Sequence, residues 1–199
     1  IPPSTSCTGR SPVVLPCANH PFPANTEPTL LIYVKPHTMK SMDKPYKLIS
    51  MEDIRFKLCN IKTLNLIPSV LANQRAVEQG CDEAVLHRGS RVTECAHSNI
   101  SILKDGVLQT APTDELILPG ITRKHLLALA KEHGISVLEK PFSMVELMNA
   151  DEVIVTSSSA LCMKAESIDG IPVGGKDPQR LKLLQDAYLE KFQRETQPK

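Results

Sequence analysis

The chain has 199 residues, 41% of them hydrophobic and 23% charged, which is ordinary for a globular protein with room for one good-sized domain. Its 23 Lys and Arg against 22 Asp and Glu leave a net charge of +1, so no single-sign field argues for nucleic acid or an acidic membrane surface. Three Tyr, four Phe and no Trp argue against base-stacking platforms, and no apolar run reaches the length of a membrane span. No basic segment followed by an apolar one marks a signal peptide, and a start at Ile1 rather than Met reads as a fragment or a processed product. Six cysteines, at 7, 17, 59, 81, 95 and 162, form no CxxC pair and read as reduced thiols of a cytosolic protein.

Residues 1–30 stand apart. Their seven prolines oppose both a helix and a central strand, only residues 12–15 have strand character, and residues 1–18 are expected to be disordered. Residues 29–35 (TLLIYVK) are apolar and β-branched and predict a buried strand. Residues 36–46, polar with Pro36 and Pro45, predict a linker. Leu48-Ile49 begins a strand, and Ile54-Arg55-Phe56 continues extended structure. Residues 67–80 place Val70, Leu71, Ala72 and Ala76 on one helical stripe that stops at Gly80. Residues 84–87 predict a strand, and residues 99–103 alternate before Lys104-Asp105-Gly106 turns them into residues 107–110, a hairpin.

Gly120 opens a helix to about His133-Gly134, and residues 136–139 predict a strand. Ser143 caps a helix through Asn149, with Glu146 completing a capping box. Residues 152–156 predict a buried strand ending in Ser157-Ser158-Ser159, and Gly170, Gly174 and Gly175 mark turns. From Pro178 to about Gln193 an amphipathic helix aligns Leu181, Leu184, Tyr188 and Phe192. Strands mixed with helices, some joined by hairpins, predict an α+β fold with a mixed sheet.

Four places carry potential chemistry, and each taken alone reads first as structure. Lys62, between Ile61 and Leu64, sits in a stretch too apolar for a solvated face. It is either a snorkelling lysine at a strand end or one held in a dry pocket, where desolvation favours the neutral amine that forms an imine with an aldehyde cofactor. Glu94, before a small-residue turn, is a turn carboxylate or the partner of a protonated ring nitrogen. Residues 118–123 (LPGITR) lead a loop into a helix whose first N–H groups, with the Thr122 hydroxyl, suit an anion. Ser157-Ser158-Ser159 is a loop, or a set of hydroxyls for the same anion.

The ordered set is more specific than its members. Lys62 with Thr63-Leu64-Asn65-Leu66, Val92-Thr93-Glu94 with Ser98-Asn99, residues 118–123, and residues 156–160 together resemble the D-amino-acid aminotransferases, fold-type IV pyridoxal-phosphate enzymes. Branched-chain aminotransferases and aminodeoxychorismate lyases are close relatives of that group. Cys59 and Asn65-Leu66 around the lysine resemble the D-amino-acid branch more. The resemblance runs from about Asn19 to the C-terminus. It implies residues 1–36 as a remnant of a small domain, a linker at 37–46, and a large cofactor-binding domain at 47–199 with a mixed, barrel-like sheet and flanking helices.

The resemblance also implies roles. Lys62 would form the internal aldimine with pyridoxal 5'-phosphate and move the proton between the substrate α-carbon and the cofactor C4′. Glu94 would pair with the pyridine nitrogen and Leu118 would pack on the ring. Ile121, Thr122 and Ser159, with Ser158, would hold the phosphate. His20, in His20-Pro21-Phe22-Pro23, resembles the histidine of a substrate-carboxylate trap that is lent across a homodimer interface. The implied activity is transamination between D-amino acids such as D-alanine and 2-oxo acids such as 2-oxoglutarate. A branched-chain aminotransferase, an aminodeoxychorismate lyase and an inactive truncated remnant are the alternatives.

The chain departs from the pattern at its start. Ala18 stands where a trap arginine is expected, and most of the small domain, with a phosphate-binding arginine and a trap tyrosine, has no counterpart. An exposed apolar patch is therefore expected where that domain would pack.

Overall fold

The structure, a computed structural model, describes residues 4–9, 30–38 and 40–196. The chain divides into two compact units, Ile1–Lys40 and Ser41–Lys199. In the first, β1 (Ser4–Gly9) pairs antiparallel with β2 (Ile32–His37). The expected strand near residue 32 is present, but Leu30, Leu31, Ile32 and Val34 are exposed rather than buried. A two-stranded ribbon has no second layer to bury them. Ser4–Gly9 is extended and paired with β2, and the rest of residues 1–18 lies outside the described residues. The scrap at 12–15 lies outside the described residues.

The second unit is built on a nine-stranded mixed sheet. Its elements run β3 (Tyr46–Glu52), α1 (Ile67–Glu78), β4 (Glu83–Arg88), β5 (Arg91–Cys95), β6 (Asn99–Lys104) and β7 (Val107–Thr110), then α2 (Ile121–Glu132), β8 (Ser136–Glu139) and α3 (Met144–Met148). They end with β9 (Glu152–Thr156), β10 (Met163–Ile168), β11 (Ile171–Pro172) and α4 (Pro178–Thr196). The strand order is β5-β4-β3-β10-β9-β6-β7-β8, with β11 on β10. Parallel pairs (β3 with β4 and β10, β7 with β8) mix with antiparallel ones.

The sheet is curled into a half-barrel. β5 ends one side of the strand order and β6 lies well along it, yet only residues 96–98 join Cys95 to Asn99. The Cys95 N–H donates to the Ser98 carbonyl at 2.8 Å across that turn. The curl therefore sets the end of β5 beside the start of β6, and with it Glu94 beside Asn99.

Local chemistry explains the elements. Asp105 and Gly106, at φ 49° and 78°, supply the two left-handed residues of a tight hairpin turn between β6 and β7. Ser143 and Glu146 form a reciprocal capping box on α3. β9 is buried throughout, as expected of a strand covered on both faces. Leu181, Leu184 and Tyr188 of α4 are buried, with Phe192 at the margin. Helix α1 corrects its predicted face. Ala72 and Ala76 are buried, packing with Ile49, Ala84 and Leu86, while Val70 and Leu71 are exposed. Small side chains let the helix approach β3 and β4 closely, and that contact, not apolarity alone, decides which stripe turns inward. No described helix is long and apolar enough to cross a membrane.

Candidate active site

Glu94, the penultimate residue of β5, has only 6% of its side chain exposed, and its two carboxylate oxygens face different elements. Oε1 accepts from Arg55 Nη1. Oε2 accepts from Asn99 Nδ2 at 2.9 Å and from the Leu118 N–H at 3.1 Å. Asn99 Nδ2 also donates to the Leu118 carbonyl at 2.8 Å, so one amide ties Glu94 to the loop before α2. That loop runs so close that a Cβ on Gly120 would lie 2.1 Å from Asn99 Oδ1.

Gly120 is the N-cap of α2 and has no side chain to cap it, and no acidic residue stands in the first turn. The first N–H groups of the helix, those of Ile121 and Thr122 among them, thus have no intrahelical acceptor, and the helix dipole adds partial positive charge there. Ile121 is exposed and Thr122 buried. The Arg123 side chain is turned elsewhere, with Nη2 donating to the Ala111 carbonyl and to Glu139, both at 2.8 Å.

Asn99 is paired in register with Thr156 of β9, which puts the two side chains on one face of the sheet. The Thr156 hydroxyl is buried without a hydrogen-bond partner among the described residues. Ser157, Ser158 and Ser159 follow it. Ser158 is exposed, and Ser157 and Ser159 are half-buried with their hydroxyls 3.3 Å apart. Glu94, Leu118, the α2 N-terminus and the strand leading to the serine loop are therefore joined around Asn99.

Lys62 is placed differently. It lies between β3 and α1, in a run where every residue from 60 to 67 is exposed. Ile61 and Leu64 beside it are more than half exposed, as are Ile54, Phe56 and Leu58 before it. The expected dry pocket is thus not formed around Lys62: in this unit nothing among the described residues covers the stretch, so its apolar side chains face water. The loop is anchored at its start by Arg55 and by the Cys59 N–H, which donates to the Glu115 carbonyl at 2.8 Å. His20 lies outside the described residues.

Sequence reasoning misses four residues of this cluster. It treats Arg55 only as extended chain, passes over Asp53 and Arg88, and takes Asn99 only as part of a motif without a role. The available signal is Asp-x-Arg directly after a strand, a spacing that puts an acid and a base on one side of an extended chain.

Burial pushes the Glu94 carboxyl up, to about 7, against the pull of Arg55 and the Leu118 N–H. Burial also acts to raise Asp53, but the hydrogen bonds and charge of Arg55 outweigh it and hold Asp53 below the usual carboxylate range. Burial opposes the Arg55 charge, and the bonds to Asp53 with the charge of Glu94 more than offset it.

These directions predict a pH dependence. Glu94 in an unfolded chain titrates at about 4.3, below its folded value, so the folded protein holds the extra proton in between and stability falls as pH rises through that window. Asp53 acts in the opposite sense at lower pH, its contribution being lost as pH falls into and below the ordinary carboxyl range. The urea midpoint of the wild type is expected to drop between about pH 5 and about pH 7.5, and that slope to vanish in Glu94→Gln. An equal slope in both proteins would remove Glu94 as its cause.

Residues 10–168 match the sequence model of class IV amino-transferases. This chain belongs to the class IV aminotransferases. Among relatives of the class IV chain, the D-alanine aminotransferase of Listeria monocytogenes serotype 4b (strain F2365) is 48% identical over 140 residues, covering 69% of this chain and 48% of that protein. The D-alanine aminotransferase of Staphylococcus aureus (strain COL) is 40% identical over 183 residues, 87% of this chain and 63% of that protein. The class IV chain thus spans about half to under two thirds of these relatives' length. Among solved structures, the branched-chain amino acid aminotransferase of Escherichia coli superposes with a TM-score of 0.75 at 29% identity, over 89% of this chain and 60% of that one. The branched-chain aminotransferase of the thermophilic archaeon Thermoproteus uzoniensis, solved with norvaline, gives 0.68 at 26% identity, over 82% and 59%. These neighbours share the fold-type IV architecture described above.

Proposed function

We propose that this chain carries the cofactor-binding half of a pyridoxal-phosphate-dependent transaminase that exchanges amino groups between D-amino acids, D-alanine first, and 2-oxo acids such as 2-oxoglutarate. The observation that carries the reading is the buried Glu94 carboxylate, fixed by Arg55, Asn99 and the Leu118 N–H beside an uncapped helix N-terminus. The relatives named D-alanine aminotransferase support the D-amino-acid substrate class over the branched-chain one.

The residues present fit pyridoxal 5'-phosphate. Glu94 has three donors on its two oxygens and, as a carboxylate, room for one more, which suits a protonated ring nitrogen. The free N–H groups of Ile121 and Thr122 suit a phosphate, and the unpartnered Thr156 hydroxyl lies on the Asn99 face of the sheet, just before Ser158 and Ser159. When bound, the cofactor supplies an electron sink for the bonds at the substrate α-carbon. Glu94 accepts the ring N–H and keeps its charge balanced. Leu118, whose backbone is pinned on both sides by Glu94 and Asn99, would pack on the ring. Lys62 Nζ takes and returns the proton at the substrate α-carbon, and His20 is the residue proposed to meet the substrate carboxylate.

The test is direct. Pyridoxal 5'-phosphate added to the wild type is expected to give a near-visible absorption band that resists dialysis, and Lys62→Ala to abolish it. No band at saturating cofactor would sink the reading. Comparing D-alanine with L-leucine as amino donor then separates the D-amino-acid reading from the branched-chain one.

A further inference from the structure

The neighbourhood of Glu94 contains a second layer that no step above uses. Arg55 forks onto Asp53, with Nε donating to Oδ1 and Nη2 to Oδ2, both at 2.9 Å. Its Nη2 also donates to the Leu116 carbonyl at 3.1 Å, and its Nη1 reaches Glu94. The Asp53 side chain is fully buried and further accepts from the Thr93 hydroxyl at 3.0 Å and from Arg88 Nε at 3.3 Å. Arg88 in turn donates to the Arg55 carbonyl at 2.8 Å. Two guanidinium groups thus balance two carboxylates.

Two features argue that this is more than a structural clasp. Asp53 already has Arg88 as a cation, so Arg55 is not needed merely to neutralise it. Ile54 and Phe56, on either side of Arg55, are both about 70% exposed, whereas Arg55 is the side chain of this segment that reaches Glu94. A bidentate fork on Asp53 leaves the guanidinium little freedom to swing away. Among the described residues, the groups facing Glu94 come from several elements. Arg55 and Asp53 come from the segment after β3, Cys95 sits beside it on β5, and Cys59 from the next turn feels its charge. Asn99 and the Leu118 N–H are neutral. Arg55 is the cation in direct contact, with Arg88 lying behind Asp53.

We propose that Arg55 is a positioning residue, buttressed by Asp53, Thr93 and Arg88, that favours the ionised form of Glu94 and aims it so that it can accept a proton-bearing ring nitrogen. The part concerning the ring nitrogen rests on the cofactor reading above; the part concerning Glu94 does not. Without Arg55, Glu94 would face the Asp53 charge with no cation between them and in a desolvated setting, and both effects favour the protonated acid. A protonated Glu94 donates where it must accept, and the ring nitrogen would lose its counter-charge.

The test titrates Glu94 itself in the cofactor-free full chain. Carboxyl-labelled glutamate is followed by NMR, the Glu94 resonance being assigned by its loss in Glu94→Gln. Arg55→Gln is expected to move the Glu94 midpoint up by about one pH unit or more, and Arg55→Lys to leave it near the wild type. Where Arg55→Gln does not fold, the paired Asp53→Asn/Arg55→Gln variant removes both charges together. It is still expected to raise the midpoint, because Arg55 acts on Glu94 more strongly than Asp53 does. A midpoint unmoved in the folded variants would overturn the proposal and leave Arg55 a structural clasp. With cofactor carrying a labelled ring nitrogen, the wild type is expected to show a protonated nitrogen and Arg55→Gln an unprotonated one, and the same signal in both would overturn the ring part. Failure of the wild type to take up cofactor would defeat the cofactor reading and the ring part with it, while the Glu94 titration decides the role of Arg55.

Discussion

Glu94→Ala is expected to lower stability by about 3–5 kcal/mol, the usual scale for stripping one partner from a buried charge pair, and to abolish cofactor uptake. The side chain it removes is almost fully buried and satisfies three donors at once: Arg55 Nη1, Asn99 Nδ2 and the Leu118 N–H. Two of these belong to neutral groups that would be left in a desolvated site, each costing about 1–3 kcal/mol when unmade. The third is a guanidinium that keeps Asp53, so its loss is partial. Glu94→Gln retains the volume and one acceptor but turns an amide donor toward other donors, so a smaller loss is expected, on the order of 1–3 kcal/mol. Urea denaturation of the cofactor-free proteins gives both values. If Ala and Gln cost the same, the retained volume and single acceptor of Gln count for little, and the loss of the carboxylate common to both variants dominates. If Glu94→Ala binds pyridoxal 5'-phosphate as the wild type does, Glu94 is not part of the cofactor site.

The elements legible in the sequence are those decided by neighbouring residues. The Asp105-Gly106 turn, the Ser143 and Glu146 capping box, and the buried stripe of Leu181, Leu184 and Tyr188 each depend on interactions within a few positions, and all three are present. What is not legible depends on distant partners. β10 pairs in parallel with β3, more than a hundred residues away, and no local period announces that. The α1 stripe is misassigned from sequence because Val70 and Leu71 are the more apolar residues, while the closeness of β3 and β4 selects Ala72 and Ala76.

The site divides in the same way. Glu94, Leu118, Ile121, Thr122, Ser158 and Ser159 stand out because a motif carries them. The groups that hold Glu94 in place come from the segment after β3, from β4 and from β6, and only the curled sheet brings Asp53, Arg55, Arg88 and Asn99 to one point. Lys62 shows the converse limit. An apolar setting in sequence is not a dry one in space when the side chains around it, Ile61 and Leu64, have nothing among the described residues covering them.

Gly120→Ala is expected to cost about 2–4 kcal/mol, from the loss of one charge-assisted and one neutral hydrogen bond, and to weaken cofactor binding by about tenfold or more. Glycine's conformational freedom is not the reason, because φ −65° and ψ 138° suit any residue. The reason is space. The added Cβ would stand 2.1 Å from Asn99 Oδ1 and 3.3 Å from its Cγ, so the amide must turn away. In turning it gives up both Nδ2 bonds, to Glu94 at 2.9 Å and to the Leu118 carbonyl at 2.8 Å, and so uncouples Glu94, the proposed ring-nitrogen partner, from the helix end proposed to hold the phosphate. Gly134 provides the contrast. It sits at φ 73° with open space around it, so Gly134→Ala is expected to cost about 1–2 kcal/mol from backbone strain alone and to leave cofactor binding unchanged. A double-mutant cycle isolates the steric cause. Asn99→Ala removes the obstructing oxygen, so it is expected to cost much less in the Gly120→Ala background than in the wild type, and simple additivity of the two changes would show that the close approach at Asn99 is not what makes residue 120 a glycine.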